Sequence, residues 1–243
     1  MKKTIREVEI LTGILIAALL ALSVVPSSYC SPTNTITIYF DPQTYVFSSS
    51  TPVGTKFNVT IWVNSTEYPW NLMMFQVYVI FNASLVNVTE LEGVSGAGNI
   101  RAWPNENLGG RSWDEQYVFY GQSGGAIGNP VYYDLGDGMG AVMLGDLVTG
   151  DLSIDGPKKL CAIEFEIKVV PPEGSPPLSC DFTLNPSPDT ILYTSEGEIT
   201  DIILGSGQYV VPEFSMCFLL ALMVAVSFTV IYIKKSRMIR NDI

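Results

Sequence analysis

Residues 56–64, KFNVTIWVN, decide the fold class of this chain, because apolar side chains occupy alternate positions along them. One face carries Phe57, Val59, Ile61 and Val63, and the other carries Asn58, Thr60, Trp62 and Asn64. Residues two apart share a face of a β-strand, and this alternation is typical of a strand that packs one face on a core. The stretch predicts a half-buried strand of a sheet.

The same period-2 pattern recurs along residues 31–211. It is clear at residues 75–81, 160–170 and 180–184, and shorter segments show it at 36–38, 85–88, 199–204 and 208–211. No helical period of 3.6 residues interrupts it. The sequence therefore predicts one all-β domain, an immunoglobulin-like β-sandwich of about nine strands.

One long segment, residues 93–140, departs from this pattern. It holds 12 of the chain's 21 glycines together with several aromatic residues, so we interpret it as an insertion that carries function. A pair of extra strands with packing aromatics is the alternative. The candidate ligand-binding residues are aromatic, four in the insertion and one pointing outward from residues 56–64: Trp103, Trp113, Tyr120, Tyr132 and Trp62. Whether a loop covers Trp62 is left open.

The N-terminal residues 1–30 have the layout of a signal peptide. Lys2, Lys3 and Arg6 precede an apolar run over residues 10–25, which predicts an N-terminal signal helix. An uncleaved membrane anchor is the alternative.

The C-terminal segment, residues 212–233, predicts a transmembrane helix. Residues 214–233 are 20 consecutive uncharged residues, about the length that crosses a ~30 Å hydrocarbon core. The basic residues of the tail, 234–243, predict a cytoplasmic C-terminus. We therefore expect a single-pass protein of the cell membrane with an extracellular domain; a buried core helix is the alternative.

The charge and composition of residues 31–213 exclude several functions. Six basic residues face 21 acidic ones, a net charge of −15, which repels nucleic acid, although solubility alone also accounts for it. The chain has no histidine, so nucleophilic triads and histidine-ligated zinc sites are excluded, and we predict neither an enzyme nor a cofactor. Five aspartates suggest calcium, but turn formation is the preferred explanation because EF-hand spacing is missing: Asp134, Asp137, Asp146, Asp151 and Asp155.

Two kinds of covalent modification are predicted. Cys161 and Cys180 both have inward parity on their strands, so we expect a disulfide between them, with buried free thiols as the alternative. Four Asn-x-Ser/Thr motifs are candidate glycosylation sites: Asn58, Asn64, Asn82 and Asn87.

Four stretches resemble the cohesin-like domains. These are VGTKFNVTIWVN from Val53, FQVYVIFNASLVNV from Phe75, KKLCAIEFEI from Lys158, and the closing segment 191–211 with its Gly-x-Tyr-Val-Val ending. The resemblance implies a nine-stranded jelly roll, related to carbohydrate-binding modules, that binds a dockerin-like protein module without catalysis. A domain that binds polysaccharide, or a structural domain of the cell envelope, is the alternative function.

The junction before the apolar segment also has a recognisable pattern. Pro212, Glu213 and Phe214, followed by the apolar run and the basic tail, are similar to archaeal C-terminal sorting signals that begin Pro-Glu-Phe. This similarity implies surface anchoring.

Overall fold

The molecule is a sandwich of two β-sheets. The structure, a computed structural model, describes residues 35–48, 50–96, 98–172 and 176–211. Its strands are β1 (Ile36–Phe40), β2 (Thr44–Val46), β3 (Lys56–Ser65), β4 (Trp70–Asn82), β5 (Val86–Val88), β6 (Ala102–Trp103), β7 (Ala126–Gly136), β8 (Met139–Ile154), β9 (Lys158–Ile167), β10 (Leu178–Leu184), β11 (Ile191–Thr194), β12 (Gly197–Glu198), β13 (Ile202–Leu204) and β14 (Ser206–Val211). Two short 3-10 helices, Glu106–Leu108 and Gly110–Ser112, lie between β6 and β7.

The first sheet has the order β13-β1-β3-β9-β5, and β6 pairs with the same edge of β9 as β5. The second sheet contains β12-β11-β4-β10-β14-β2, and the hairpin of β7 and β8 is added along β4. Most pairs are antiparallel, whereas β1 with β13 and β2 with β14 are parallel. Strand β4 is the spine of the second sheet, because β8 pairs with it from Trp70 to Asn82.

The inward side chains of both sheets form one core. Along β3, Val59, Ile61 and Val63 are fully buried, as the alternation predicts. Aromatic rings join the two sheets: Phe165 of the first sheet lies 5.0 Å from Phe182 of the second, measured between ring centroids. Burial of this apolar surface is the main favourable contribution to folding.

The prediction of an all-β sandwich is confirmed. Nine of the strands in the described residues have four residues or more. The segment 93–140 is only partly a loop, because β7 occupies residues 126–136 and β8 begins at Met139. The alternative of extra strands therefore applies to this part. Gly125 and Gly128 lie so close to the backbone of β8 that a side chain at either position would crowd it. The pairing of β7 with β8 therefore requires glycine, and this high glycine content made the segment resemble a loop.

The predicted disulfide is wrong, because both cysteines are free and buried. Cys180 is a residue of β10 and lies beside the end of β4, where its Sγ is 3.4 Å from the backbone nitrogen of Asn82. On the facing sheet, the residue at this level is Phe165, whose ring lies 4.9 Å from that of Phe81. Cys161 lies four residues from Phe165 along β9, which is about 13 Å of strand. Parity placed both thiols inward, but a disulfide also needs matching positions along the strands.

The predicted signal helix, residues 1–30, lies outside the described residues, as do the transmembrane segment 212–233 and the tail 234–243. Among the described residues, no helix has both the length and the hydropathy that a membrane crossing requires.

Candidate binding face

The outer side of the second sheet forms an uncharged surface over its strands β4, β8 and β7. Its residues form four cross-strand rows, which are Ile80–Ala141–Tyr133, Tyr78–Met143–Val131, Gln76–Gly145–Gly128 and Met74–Leu147–Ala126. Ala141 is buried, and the others are partly or fully exposed. None of these residues carries a charge. We call this surface the uncharged face.

Two tyrosines are the largest side chains on the uncharged face. The rings of Tyr78 and Tyr133 lie 5.8 Å apart at an interplanar angle of 33°. Tyr133 is 37% exposed, and Leu135 beyond it is 47% exposed. Burial raises the pKa of Tyr78, and the nearby Asp189 raises it further, so its hydroxyl is a neutral hydrogen-bond donor at physiological pH. Tyrosines with this combination of apolar area and one polar group are enriched in binding surfaces.

A groove of about 290 Å³ crosses the uncharged face. Met74, Ile127, Met143 and Leu147 contribute its apolar walls, and Gly145 forms part of its floor. A Cβ on Gly145 would lie 2.5 Å from the carbonyl oxygen of Phe75, so only glycine allows β8 to pair with β4 here. The groove has room for one large apolar side chain of a partner.

A buried ion pair lies under the uncharged face. The side chain of Asp146 has no exposure, although it occupies an inward position of β8. Its carboxylate accepts hydrogen bonds from Nε of Arg111 at 2.8 Å, from Nη2 of Arg111 at 2.5 Å and from the hydroxyl of Tyr117 at 2.6 Å. The hydrogen bond to Asp146 raises the pKa of Arg111. Burial and then Asp146 raise the pKa of the Tyr117 hydroxyl, so it remains a donor. The three hydrogen bonds satisfy both oxygens of this buried side chain.

This ion pair attaches the loop between β6 and β7 to the hairpin. Arg111 also donates to the backbone carbonyls of Gln122, Gly124 and Leu147. Before Arg111 the chain pairs with the first sheet through Ala102 and Trp103, and after it Ala126 pairs with β8. The loop therefore links the two sheets along one side of the sandwich.

The outer side of the first sheet is different in chemistry. Its outward residues include Lys56, Asn58, Asn64, Asn87, Arg101, Lys159, Glu164 and Glu166. Glu164 pairs with Arg101 at 3.1 Å and with Lys56 at 3.7 Å, and Lys159 pairs with Asp114. Burial opposes ionisation of Asp114, but the hydrogen bonds from Lys159 and Gln116 prevail and lower its pKa. We call this surface the charged face.

Of the aromatic residues predicted from the sequence, Trp62 lies on the charged face. It is partly exposed, with Tyr39 opposite it on β1 and the Nζ of Lys159 5.3 Å from its ring centroid. Its indole nitrogen is buried and bonds to none of the described residues. The ring is therefore partly covered by a lysine and not fully presented to solvent.

The aromatic residues of the insertion are divided among different places. Trp103 and Trp113 lie together, with ring centroids 6.3 Å apart, and Trp113 packs against the core. Tyr120 is 43% exposed, next to the buried Phe119. Tyr132 is on the inward side of β7, 6.3 Å from the ring of Phe81. The structure thus joins Trp103 with Trp113 but places Tyr132 against the core.

The five aspartates of the calcium alternative are also separated. Asp146 forms an ion pair with Arg111. Asp134 lies in the β7–β8 turn, where its Oδ1 accepts the backbone N–H of Gly136 at 2.9 Å. Asp151 accepts the N–H of Ser195 at 2.7 Å. Among the described residues there is no group of three or more acidic or cysteine side chains that holds a metal.

Comparison with known proteins gives structural neighbours only. The chain matches no protein-family model and no curated protein. Among solved structures it is similar to the third cohesin ScaC of Acetivibrio cellulolyticus, solved with the ScaB dockerin, with a TM-score of 0.42 and 14% identity over 73% of this chain and 99% of that one. These neighbours are cohesin modules.

Two others have different sources. The cohesin CaCohA2 of Clostridium acetobutylicum has a TM-score of 0.41 at 12% identity, covering 73% of this chain and 91% of its own. A non-cellulosomal cohesin of the hyperthermophilic archaeon Archaeoglobus fulgidus has a TM-score of 0.39 at 12% identity, covering 76% of this chain and 95% of its own.

Sequence reasoning missed the residues of the uncharged face, above all Tyr78, Tyr133 and Met143. It used the inward positions of residues 75–81 and ignored the outward ones. A signal was present, because Gln76, Tyr78 and Ile80 are outward and uncharged in a strongly acidic chain. A solvated strand face normally carries charge.

Proposed function

We propose that this protein is a non-catalytic, protein-binding module of the cohesin type, which binds its partner through the uncharged face. One observation carries the proposal: four successive cross-strand rows are free of charge in a chain whose net charge is −11. Most residues of these rows are partly exposed, and a contiguous apolar surface that reaches solvent is typical of interaction sites. The groove beside Gly145 supplies a place for an anchoring side chain of the partner.

The chemistry of the partner follows from the surroundings of the face. Three acidic residues lie near the borders of the uncharged face: Asp134, Asp151 and Asp189. We expect a protein module with an apolar strip between basic residues, and the resemblance to cohesins suggests a dockerin-like module. Charge complementarity at the borders would steer association and select orientation.

A catalytic role has little support. The buried carboxylate of Asp146 is engaged by Arg111 and Tyr117, and it supports the loop. The chain contains no histidine.

We place the module at the outer surface of a cell membrane, with residues 214–233 as its anchor. The support is the uncharged run followed by a basic tail. Protease added to intact cells should remove the described domain and leave the tail protected.

The binding proposal is tested with two variants that add the same charge. Met143→Asp places a carboxylate in the middle of the uncharged face, and Asn58→Asp places one on the charged face. Both proteins are used to capture partners from the extracellular and surface proteins of the source organism, and the affinity for the captured partner is then measured. Met143→Asp should weaken binding at least 30-fold, about 2 kcal/mol, because it buries an unpaired charge in the interface.

Asn58→Asp should bind like the wild type, and both variants should keep the wild-type circular dichroism spectrum. Equal binding by both variants would show that the uncharged face is not the binding site.

A second candidate function rests on the charged face. Tyr39 and Trp62 are cross-strand neighbours, and Trp103 lies on the same side across Ala162. Flat aromatic rings beside hydrogen-bonding side chains suit polysaccharide. Trp62→Ala should abolish any signal on a glycan array if this function is present.

A further inference from the structure

The place where the chain leaves the sandwich is close to the predicted membrane segment. Strand β14 ends at Val211, and only Pro212 and Glu213 separate it from the apolar run that begins at Phe214. Three residue steps span at most about 11 Å of extended chain. If residues 214–233 cross a bilayer, the end of the sandwich that holds Val211 must lie at the lipid headgroups.

Several turns lie at this end of the sandwich, which we call the exit end. Val210 accepts the N–H of Phe47, and the turn after β2 follows. Gly54 donates to Ile167 at the end of β9, and Lys168 donates to Leu85 in the turn after β4. Ser84 of that turn donates to Gly138 in the β7–β8 turn. The exit end thus contains residues 46–48, 50–55, 82–85, 135–138 and 167–170.

Exposed apolar side chains are concentrated at the exit end. Val46 is 65% exposed, Val53 is 57% exposed, Leu135 is 47% exposed and Val169 is 40% exposed. These are four of the eight large hydrophobic residues that are exposed among the described residues. None of the four lies in the rows of the uncharged face, although Leu135 follows Tyr133 at its edge. The proposed partner therefore does not account for the exposure of Val46, Val53 and Val169.

Ile203, at the opposite end, has almost the same exposure as Val53, at 55%. It pairs with Thr37, which in turn pairs with Asn64 near the end of β3. Because β3 begins at Lys56 beside the exit end, Ile203 and Val53 are on the order of 25 Å apart along the strands. Val53 and Ile203 therefore have similar exposure at opposite ends of the sandwich, and a label at Ile203 is the control for a label at Val53.

We infer that the exit end is a membrane-contact surface, on which Val46, Val53, Leu135 and Val169 rest in the headgroup layer of the bilayer. This inference rests on the proposed membrane anchor. The contact is made by these apolar side chains, and the exit end also carries one acidic and one basic residue, Asp137 and Lys168. Since residues 31–213 carry a net charge of −15, anionic lipid would repel the domain. Strands β4 and β14 then point at the membrane, and the uncharged face stands beside it, open to a partner from the side.

The test uses the full-length protein in phosphatidylcholine vesicles. Cys30 and Cys217 are replaced by serine, while Cys161 and Cys180 stay because they are buried. Val53→Cys and Ile203→Cys are then labelled separately with a bimane fluorophore, and quenching by lipids that carry a doxyl group near the headgroup is measured. Val53→Cys should be quenched at least threefold more strongly than Ile203→Cys, and Val169→Cys should behave like Val53→Cys.

Flotation of the vesicles separates the two proposals. If the protein floats with the vesicles and the labels at positions 53 and 203 are quenched equally, the membrane-contact surface is refuted while the anchor stands. If the protein does not float, the anchor itself is refuted, and the contact surface with it. Partner binding by the uncharged face is measured independently of both.

Discussion

The two outer faces of the sandwich are built by the same alternation and differ only in their outward residues. On β3, the outward positions are Asn58, Thr60 and Trp62, and the neighbouring strand adds Glu164 and Glu166. On β4, the outward positions are uncharged throughout the four rows. Inward residues fix a strand in the core, and they carry no information about what its other side contacts. The outward residues distinguish a solvated face from a binding face.

The predicted glycosylation sites follow the same division. Asn58, Asn64 and Asn87 lie on the charged face, and Asn82 lies in the turn at the end of β4. Glycosylation stays a prediction. Sugars on Asn58, Asn64 and Asn87 would cover the charged face and leave the four rows of the uncharged face open, which agrees with binding by the uncharged face.

The ion pair beneath the uncharged face also differs from the ion pairs on the charged face. Removal of Arg111 should leave the Asp146 carboxylate buried without its cation, so Arg111→Met should lower the free energy of unfolding by about 3–5 kcal/mol. Lys56→Met on the charged face removes a partner that is 51% exposed and should change it by less than about 1 kcal/mol. Urea unfolding of both variants measures the difference. Similar losses would mean that burial does not separate the two ion pairs.

The close pairing of β4 and β8 gives a second test. Gly145→Ala forces a methyl group against the Phe75 carbonyl and should cost about 1–3 kcal/mol of stability while narrowing the groove. Gly156→Ala is the control, because its Cβ would meet no atom within 4 Å. Thermal unfolding and partner affinity are measured for both. An unchanged melting temperature for Gly145→Ala would contradict the close approach of these strands.

Tyrosine on one face and tryptophan on the other allow a comparison of binding. Tyr133→Ala removes an exposed ring that lies 5.8 Å from the ring of Tyr78 and should weaken partner binding about tenfold. Trp62→Ala on the charged face should leave partner affinity unchanged. Isothermal titration calorimetry with the purified partner measures both. A larger effect of Trp62→Ala would transfer the protein-binding site to the charged face.

Each sheet contributes one buried thiol, and both thiols have raised pKa values. Burial raises the pKa of Cys180 to about 11 and that of Cys161 well above its usual value of 9.0. Below pH 9 the thiol of Cys180 is protonated in the folded and unfolded states; between pH 9 and pH 11 only the unfolded chain loses the proton. Stability should therefore fall as the pH rises through this range. Cys180→Val should reduce the slope of unfolding free energy against pH, and an unchanged slope would refute this assignment.

Reduction should have the smallest effect. A disulfide between Cys161 and Cys180 would close a loop of about 20 residues and contribute about 3 kcal/mol to the free energy of unfolding. Because both cysteines are free, dithiothreitol should leave the free energy of unfolding of the wild type unchanged within error. A loss near the value for a bridge would show that the thiols pair after all.

The sequence predicted the fold better than the candidate site. Alternation in residues 56–64 and 160–170 predicted β3, β9 and most of their inward residues, because burial of one face dictates the period. Val169, which the alternation places inward, lies beyond the end of β9 and is exposed. It gave β7 only as the alternative of extra strands, since the glycines of this strand reflect contact with β8, a partner that only the tertiary structure specifies. The pairing of Arg111 with Asp146 was missed for the same reason: the two residues are 35 positions apart, and Asp146 was interpreted as a turn residue.

The uncharged face has a consequence for the behaviour of the protein in solution. A domain that exposes such a surface stays dispersed because its remaining acidic groups repel other copies. That repulsion acts over about 10 Å at 0.1 M salt and over about 3 Å at 1 M. Concentrated salt would thus remove the colloidal barrier while strengthening apolar association, so purified protein without its partner is best kept dilute and at low ionic strength.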